Sequence, residues 1–287
     1  MRNITHDNIT DAVMASFAGA SDERFKFLLA RLVGHLHAYA REVNLTPEEW
    51  KTAIDFLYRA GKISDDGRNE FILTSDVLGM SSLIDLLQSG RAATERSALG
   101  PFHADGSLPL EVDGDLARKN AGDKMLVRGR VLDDTGAALA GATLDFWQAA
   151  TNGLYWQQDP AQDRNNLRFT MSADETGRYA FTTVRPAPYT VPYDGPVGDL
   201  LRAGNRQAWR PAHFHFIVSA PGCKTLTTEL FFADDEYIDQ DAVFGVRTTL
   251  CLNTKSSSDT ADAARYRMPL PFSLVEFDFR LQREFTA

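Results

Sequence analysis

The hydrophobic pattern changes period near residue 105, and no other feature of the chain constrains its fold as strongly. Upstream, Phe25, Leu28, Leu29, Leu32, Val33 and Leu36 recur at i, i+3, i+4 and i+7, and Ala40 and Val43 extend the stripe. That is one face of an α-helix. Thr46-Pro47-Glu48-Glu49 is a capping box with proline at the first helical position, so another helix starts there and runs through Trp50, Ile54 and Leu57 towards Gly61. A further helical region is expected over roughly 68–87, ending near Gly90. Downstream the signals are short strands and turns. The run 124–131 leads into Asp134-Thr135-Gly136, 142–147 follows, and Asp174-Glu175-Thr176-Gly177 turns into Arg178, Tyr179, Ala180 and Phe181. Near the end Val275, Phe277, Phe279 and Leu281 alternate with Glu276, Asp278 and Arg280, the mark of a half-buried strand. The pattern predicts a mainly β protein with an α-helical part. Residues 1–105 form a helical domain docked on a β-sandwich of residues 106–287.

With 287 residues, 44% apolar and 24% charged, the chain has the composition of a soluble globular protein with ample core. A net charge of -9 argues against nucleic acid or an anionic membrane as partner, since both demand a basic face. No apolar run of transmembrane length occurs, and the first residues lack the apolar segment of a secretory signal. Two cysteines, Cys223 and Cys251, are too few for a disulfide framework. These features point to a reduced, cytoplasmic protein.

Chemistry concentrates in Arg210-Pro211-Ala212-His213-Phe214-His215-Phe216. On a strand, residues two apart share a face, so His213 and His215 make half of a metal site, or else two strand histidines that pair with carboxylates or meet solvent. His35-Leu36-His37 is the internal control. It lies in the strongest helical stripe, where two residues are about 200° of rotation, and those rings cannot share an ion. His6 is terminal and His103 stands alone in a loop. Further ligands to the pair must therefore be oxygen donors. Taken alone, Tyr155 and Tyr189 read as packing residues.

Several motifs together resemble the intradiol ring-cleaving dioxygenases. They are Trp147-Gln148-Ala149 followed by Gly153-Leu154-Tyr155, the segment from Val184 through Arg185, Pro186 and Tyr189 to Asp194-Gly195-Pro196, and the Arg210–His215 run. Leu99-Gly100-Pro101-Phe102 and Leu226-Thr227-Thr228 extend the match, which covers the whole chain. The helical N-terminal part resembles the dimerising linker domain of the catechol 1,2-dioxygenase branch. Within that branch, Glu70-Phe71-Ile72-Leu73, Ser75-Asp76-Val77-Leu78-Gly79 and the run 241–247 are most similar to hydroxyquinol (benzene-1,2,4-triol) 1,2-dioxygenases.

The resemblance implies one non-haem Fe(III) per subunit, held by Tyr155, Tyr189, His213 and His215 with hydroxide as the fifth ligand. Two phenolates and one hydroxide then balance the ferric charge in a buried site. It also implies that the substrate displaces Tyr189, which accepts a proton as it leaves, and that Arg210 places a cation near the ring. The reaction implied is cleavage of hydroxyquinol by O2, with both oxygen atoms entering the product, 3-hydroxy-cis,cis-muconate or its tautomer maleylacetate. By the same match Leu73, Asp76, Ala98, Leu99, Gly100, Pro101, Phe102 and Val243 surround the ring. Asp76 is either the acceptor for the third ring hydroxyl or a helix cap. Glu229 follows Thr228 where catechol cleavers often carry Gln and hydroxyquinol cleavers His, close to the ligands. Ala98 and Leu99 depart from the hydroxyquinol pattern, which keeps catechol, a chlorocatechol or a substituted triol as alternative substrates. The family also implies a homodimer through the N-terminal helices, with a phospholipid at the interface. The rival is a non-catalytic module, since 127–131, 134–142 and 177–181 resemble transthyretin-like sandwiches. Such a module has no need of Tyr155, Tyr189, Arg210, His213 and His215 together.

Overall fold

A computed structural model describes residues 3–65, 68–89 and 93–284. The chain divides into two compact units, one within residues 1–59 and one within 60–287. The helices are α1 (Ile9–Ser16), α2 (Glu23–Glu42), α3 (Pro47–Ile63), α4 (Glu70–Val77), α5 (Met80–Gln88), α6 (Pro196–Ala203) and α7 (Thr260–Tyr266). The strands begin with β1 (Gly114–Asp115), β2 (Lys124–Asp133), β3 (Thr143–Gln148), β4 (Arg168–Ser172), β5 (Arg178–Val184), β6 (Tyr189–Thr190) and β7 (Trp209–Arg210). They continue with β8 (His213–Ser219), β9 (Leu226–Phe232), β10 (Cys251–Leu252), β11 (Lys255–Ser257), β12 (Phe272–Glu276) and β13 (Phe279–Leu281).

The first unit is helical for the reasons its sequence carries. The Asp22 carboxylate caps α2 by accepting from Phe25 N at 3.0 Å. The capping box forms as written, with Thr46 N donating to Glu49 Oε2 at 2.9 Å and Glu49 N to Thr46 Oγ1 at 3.3 Å. No residue of α2 is buried, so its apolar stripe of Phe25, Leu28, Leu32 and Leu36 lies about half exposed. His35 and His37 sit on α2, and His37 meets Thr10 at 3.0 Å instead of sharing anything with His35.

The second unit is a β-sandwich. One sheet runs β1-β5-β2-β12-β11 with β13 also on β2, and the other runs β10-β9-β8-β3-β4. Phe146 on β3 and Phe169 on β4 meet Phe181 of the facing sheet, and Phe214 and Phe216 on β8 pack on Phe146. Each ring is fully or almost fully buried, which stabilises the fold by about 2–3 kcal/mol per side chain. A two-stranded ribbon, β6 with β7, lies outside both sheets and pairs Tyr189 with Arg210.

Two expectations come out differently in detail. The single helical region over 68–87 is two helices, because Gly79 takes a φ of +74° between them, a conformation no α-helix continues through; Gly90 lies outside the described residues. The alternating run at the end is two strands. Phe277 and Asp278 leave the ladder without altering its register, so Glu276 faces Arg128 and Phe279 faces Val131. The Asp278 carboxylate takes the Arg130 N–H at 2.8 Å, in place of a backbone carbonyl.

Candidate metal centre

β8 sorts its side chains by alternation. Phe214, Phe216 and Val218 enter the sandwich core, so His213 and His215 must both point out of the opposite face of the sheet. The neighbours set what they meet. In register, His215 faces Trp147 on β3 and Glu229 on β9, and His213 faces Phe231. The Trp147 indole stacks flat on His215, with ring centroids 4.8 Å apart and planes 4° apart. Loops cover this face. Gly100, at φ +71°, lies against His215 so closely that a Cβ there would stand 3.0 Å from Cε1. Phe102 stacks on Tyr155 at 4.4 Å.

Four donor atoms converge beneath this cover. His215 Nε2 is 3.1 Å from His213 Nε2 and 3.0 Å from Tyr155 Oη, and Tyr189 Oη is 3.4 Å from His213 Nε2. Ligands about 2.0–2.1 Å from a shared ion in tetrahedral array lie about 3.3 Å apart, a spacing these donors match. The tautomer of His213 also fits. Its Nδ1–H donates to the Pro211 carbonyl at 2.6 Å, leaving the Nε2 lone pair facing the other donors. All four residues are buried. Burial, aided by Arg210, lowers the His213 pKa to about 4. Burial and the neighbouring His213 push His215 well below its ordinary value, so both rings are neutral ligand forms. Burial holds both tyrosines protonated, raising Tyr155 strongly and Tyr189 against the pull of Arg210. Only a highly charged cation among them would ionise the pair. Two neutral imidazoles and two hard phenol oxygens form a donor set for such an ion.

A buried charge network adjoins the donors. Arg210 Nη1 donates to Glu229 Oε1 at 2.6 Å and Nη2 to Oε2 at 3.0 Å, while Nε donates to Asp241 Oδ1 at 3.0 Å. Ser97 Oγ donates to Glu229 Oε2 at 2.6 Å. Burial opposes ionisation of Glu229, but Arg210 outweighs it and holds the carboxyl below the usual range. Arg210 Nη1 also lies 3.4 Å from His213 Nε2. Among the described His, Cys, Asp and Glu residues, His213, His215 and Glu229 form the group compact enough to hold a metal. Glu229, however, already spends both oxygens on Arg210 and Ser97.

The sequence-derived pocket residues divide. Gly100 and Phe102 touch the donor cluster. Val243 is buried beside the network, its N–H donating to Asp241 Oδ1 at 3.3 Å. Asp76 sits on α4, where burial pushes its carboxyl up while Ser81 and Arg210 oppose the shift. Leu73 lies three residues before it on the same helix, hence on the same face. Ala98 joins Ser97 to the Gly100 turn, whereas Leu99 and Pro101 are exposed. His103 is not isolated: its Nε2 meets Asp145 Oδ2 at 2.9 Å, and its ring lies edge-on to Trp147. Ser97, Asp241 and Trp147 were not singled out from the sequence. Asp241 and Trp147 stand inside quoted motifs, but only strand register and loop packing reveal what they touch.

The family model described as "Dioxygenase" matches residues 103–283, and that described as "Catechol dioxygenase N terminus" matches residues 22–96. A 6-chlorohydroxyquinol 1,2-dioxygenase of Cupriavidus pinatubonensis is 41% identical over 276 residues, 96% of this chain and 99% of that protein. A hydroxyquinol 1,2-dioxygenase of a Rhizobium species is 40% identical over 95% of this chain and 94% of its own. The crystal structure of hydroxyquinol 1,2-dioxygenase from Pseudomonas putida DLL-E4 superimposes with a TM-score of 0.90 at 42% identity, covering 97% of this chain and 99% of that one. With its helical N-terminal part, its β-sandwich and these relatives, the chain belongs to the intradiol ring-cleavage dioxygenases, enzymes of the catechol 1,2-dioxygenase branch.

Proposed function

We propose that this protein cleaves hydroxyquinol with O2 between two adjacent hydroxyl-bearing carbons, giving 3-hydroxy-cis,cis-muconate or maleylacetate. The run of contacts that links Tyr155 Oη to His215 Nε2 at 3.0 Å, His215 Nε2 to His213 Nε2 at 3.1 Å and His213 Nε2 to Tyr189 Oη at 3.4 Å carries this reading. These four residues would hold one non-haem Fe(III) per subunit. Bound there, the ion would ionise the phenols and act as Lewis acid and template for a ring diol reacting with O2.

The protein groups divide the remaining work. Tyr189 sits on the short ribbon opposite Arg210 and is the more exposed of the two phenols. With the ion bound, its Oη would take up a proton from a substrate hydroxyl. Tyr155, stacked under Phe102, stays. Arg210 offers its cation where charge develops on the ring. Gly100, Phe102, Val243 and the flanking Leu73, Ala98, Leu99 and Pro101 exclude water and set the ring plane. Asp76 accepts a hydrogen bond from the third hydroxyl. The 6-chlorohydroxyquinol relative favours a second reading, a chlorinated triol, which would share every step.

In this proposal residues 1–105 supply the dimer contact together with one wall of the pocket, Leu73, Asp76 and 98–102, and residues 106–287 supply the metal-binding residues and Arg210. The half-exposed stripe of α2 is the surface for a second copy, with a phospholipid as its companion. Among the described residues no helix is long and apolar enough to cross a membrane, and both cysteines are free. Action in the cytoplasm on a small aromatic substrate belongs to the same proposal.

Colour tests the reading. Iron-loaded protein is expected to show a visible tyrosinate-to-iron charge-transfer band and to cleave hydroxyquinol faster than catechol or 4-chlorocatechol. Colourless, inactive protein after iron loading would end it. Gel filtration should place the 31.9 kDa chain at twice its mass.

A further inference from the structure

We propose that Glu229 is a positioning residue of the metal centre, an anion held against both ligand imidazoles that biases the site towards the ferric ion. The inference rests on the reading of the site as an iron centre. Register places Glu229 directly opposite His215 on the next strand, and the carboxylate is fully buried. Its Oε1 lies 3.6 Å from His213 Nε2 and 3.5 Å from His215 Nδ1.

His215 Nδ1 is the unfinished part of this arrangement. It is buried and has no hydrogen-bond partner, although a metal-bound imidazole ordinarily donates its other N–H to an acceptor. His213 has one in the Pro211 carbonyl. For His215 the facing carboxylate, 3.5 Å away, is the nearest acceptor placed to take that role. An anionic acceptor makes an imidazole a stronger donor to the ion.

Charge count points the same way. Glu229 and Asp241 carry two negative charges and Arg210 one positive, so the buried triad is net negative beside the ligands. With a neutral amide at 229, Arg210 and Asp241 would cancel. The extra negative charge stabilises the more highly charged oxidation state in a low-dielectric site.

The test compares iron-loaded wild type with E229Q and E229D, without substrate, by charge-transfer spectrum and Fe(III)/Fe(II) midpoint potential. In E229Q the preference for Fe(III) over Fe(II) is expected to fall about tenfold, a rise of about 59 mV in potential, and the band moves to longer wavelength. E229D keeps the charge on Arg210 but draws it back by one methylene. It shifts both readings the same way by less, and it carries the test if E229Q does not fold. A wild-type band that both variants leave unmoved, with unchanged potential, overturns the role of Glu229 alone. Iron-loaded wild type with no visible band overturns the site reading and this inference with it.

Discussion

Arg210 and Glu229 form a two-pronged ion pair sealed from solvent, with Nη1 on Oε1 at 2.6 Å and Nη2 on Oε2 at 3.0 Å. Their side chains are 3% and 0% exposed. Asp241 takes the remaining edge of the guanidinium through Nε. The guanidinium that the family resemblance puts near the ring is therefore committed on two edges, and its Nη1 also lies 3.4 Å from His213 Nε2. Such a fork suits arginine and no other residue.

Removing Arg210 strands two buried carboxylates. Arg210→Ala is expected to cost about 3–5 kcal/mol of stability, measured by urea unfolding of the iron-free protein. A loss below about 1 kcal/mol would mean that Glu229 and Asp241 are rehydrated or protonated at little cost.

Tyr155→Phe should lower kcat by about 100-fold or more and remove part of the visible band. Tyr189→Phe should leave the Tyr155 contribution to the band while slowing turnover. An unchanged spectrum in Tyr155→Phe would show that its phenol is no ligand.

Gly100→Ala puts a methyl group 3.0 Å from His215 Cε1 at a φ of +71°. Strain and the displaced ring together are expected to cost about 1–2 kcal/mol and to lower iron content at a given iron concentration. Thermal unfolding and metal analysis check this. Wild-type values for both would show that the turn moves away freely.

Asp76→Ala should narrow the preference for hydroxyquinol over catechol. A hydrogen bond to a charged acceptor is worth about 1.5–3 kcal/mol, so the ratio of kcat/KM values should fall about 10- to 100-fold. A preserved ratio would assign the third hydroxyl to another group.

Acid should weaken the fold through Asp133. This buried carboxylate accepts from the Thr135 hydroxyl at 2.6 Å and from Arg283 Nε at 2.8 Å, and these bonds hold its pKa far below the ordinary value. A lowered folded-state pKa means that the unfolded chain binds the proton more readily. The stabilisation is therefore complete above the ordinary carboxylate range and is lost as pH falls through and below it. Asp133→Asn should be less stable at pH 7 and lose less on acidification than wild type. Parallel stability curves from pH 7 to pH 3 would contradict this.

Much of the architecture was legible because it depends on local pattern. The stripe from Phe25 to Val43 and the Thr46–Glu49 box mark helices through contacts three and four residues apart. Alternation in 213–218 sends both histidines to one face and both phenylalanines to the other. The break at Gly79 and the interruption at Phe277–Asp278 were less legible. In the first, one backbone angle overrides a helical period; in the second, a side chain replaces a ladder bond.

The four converging donors were legible in the sequence, and their surroundings were not. By itself the sequence determined that His213 and His215 share a face, that the pair on α2 cannot, and, by resemblance, that Tyr155 and Tyr189 belong with them. Only the tertiary structure decided that Glu229 and Trp147 flank His215, that Asp241 and Ser97 complete the Arg210 network, and that Gly100 rests on the His215 ring. Periodicity is a property of neighbouring residues along the chain. Strand order and register join residues dozens of positions apart, and they are settled by which faces can be buried together.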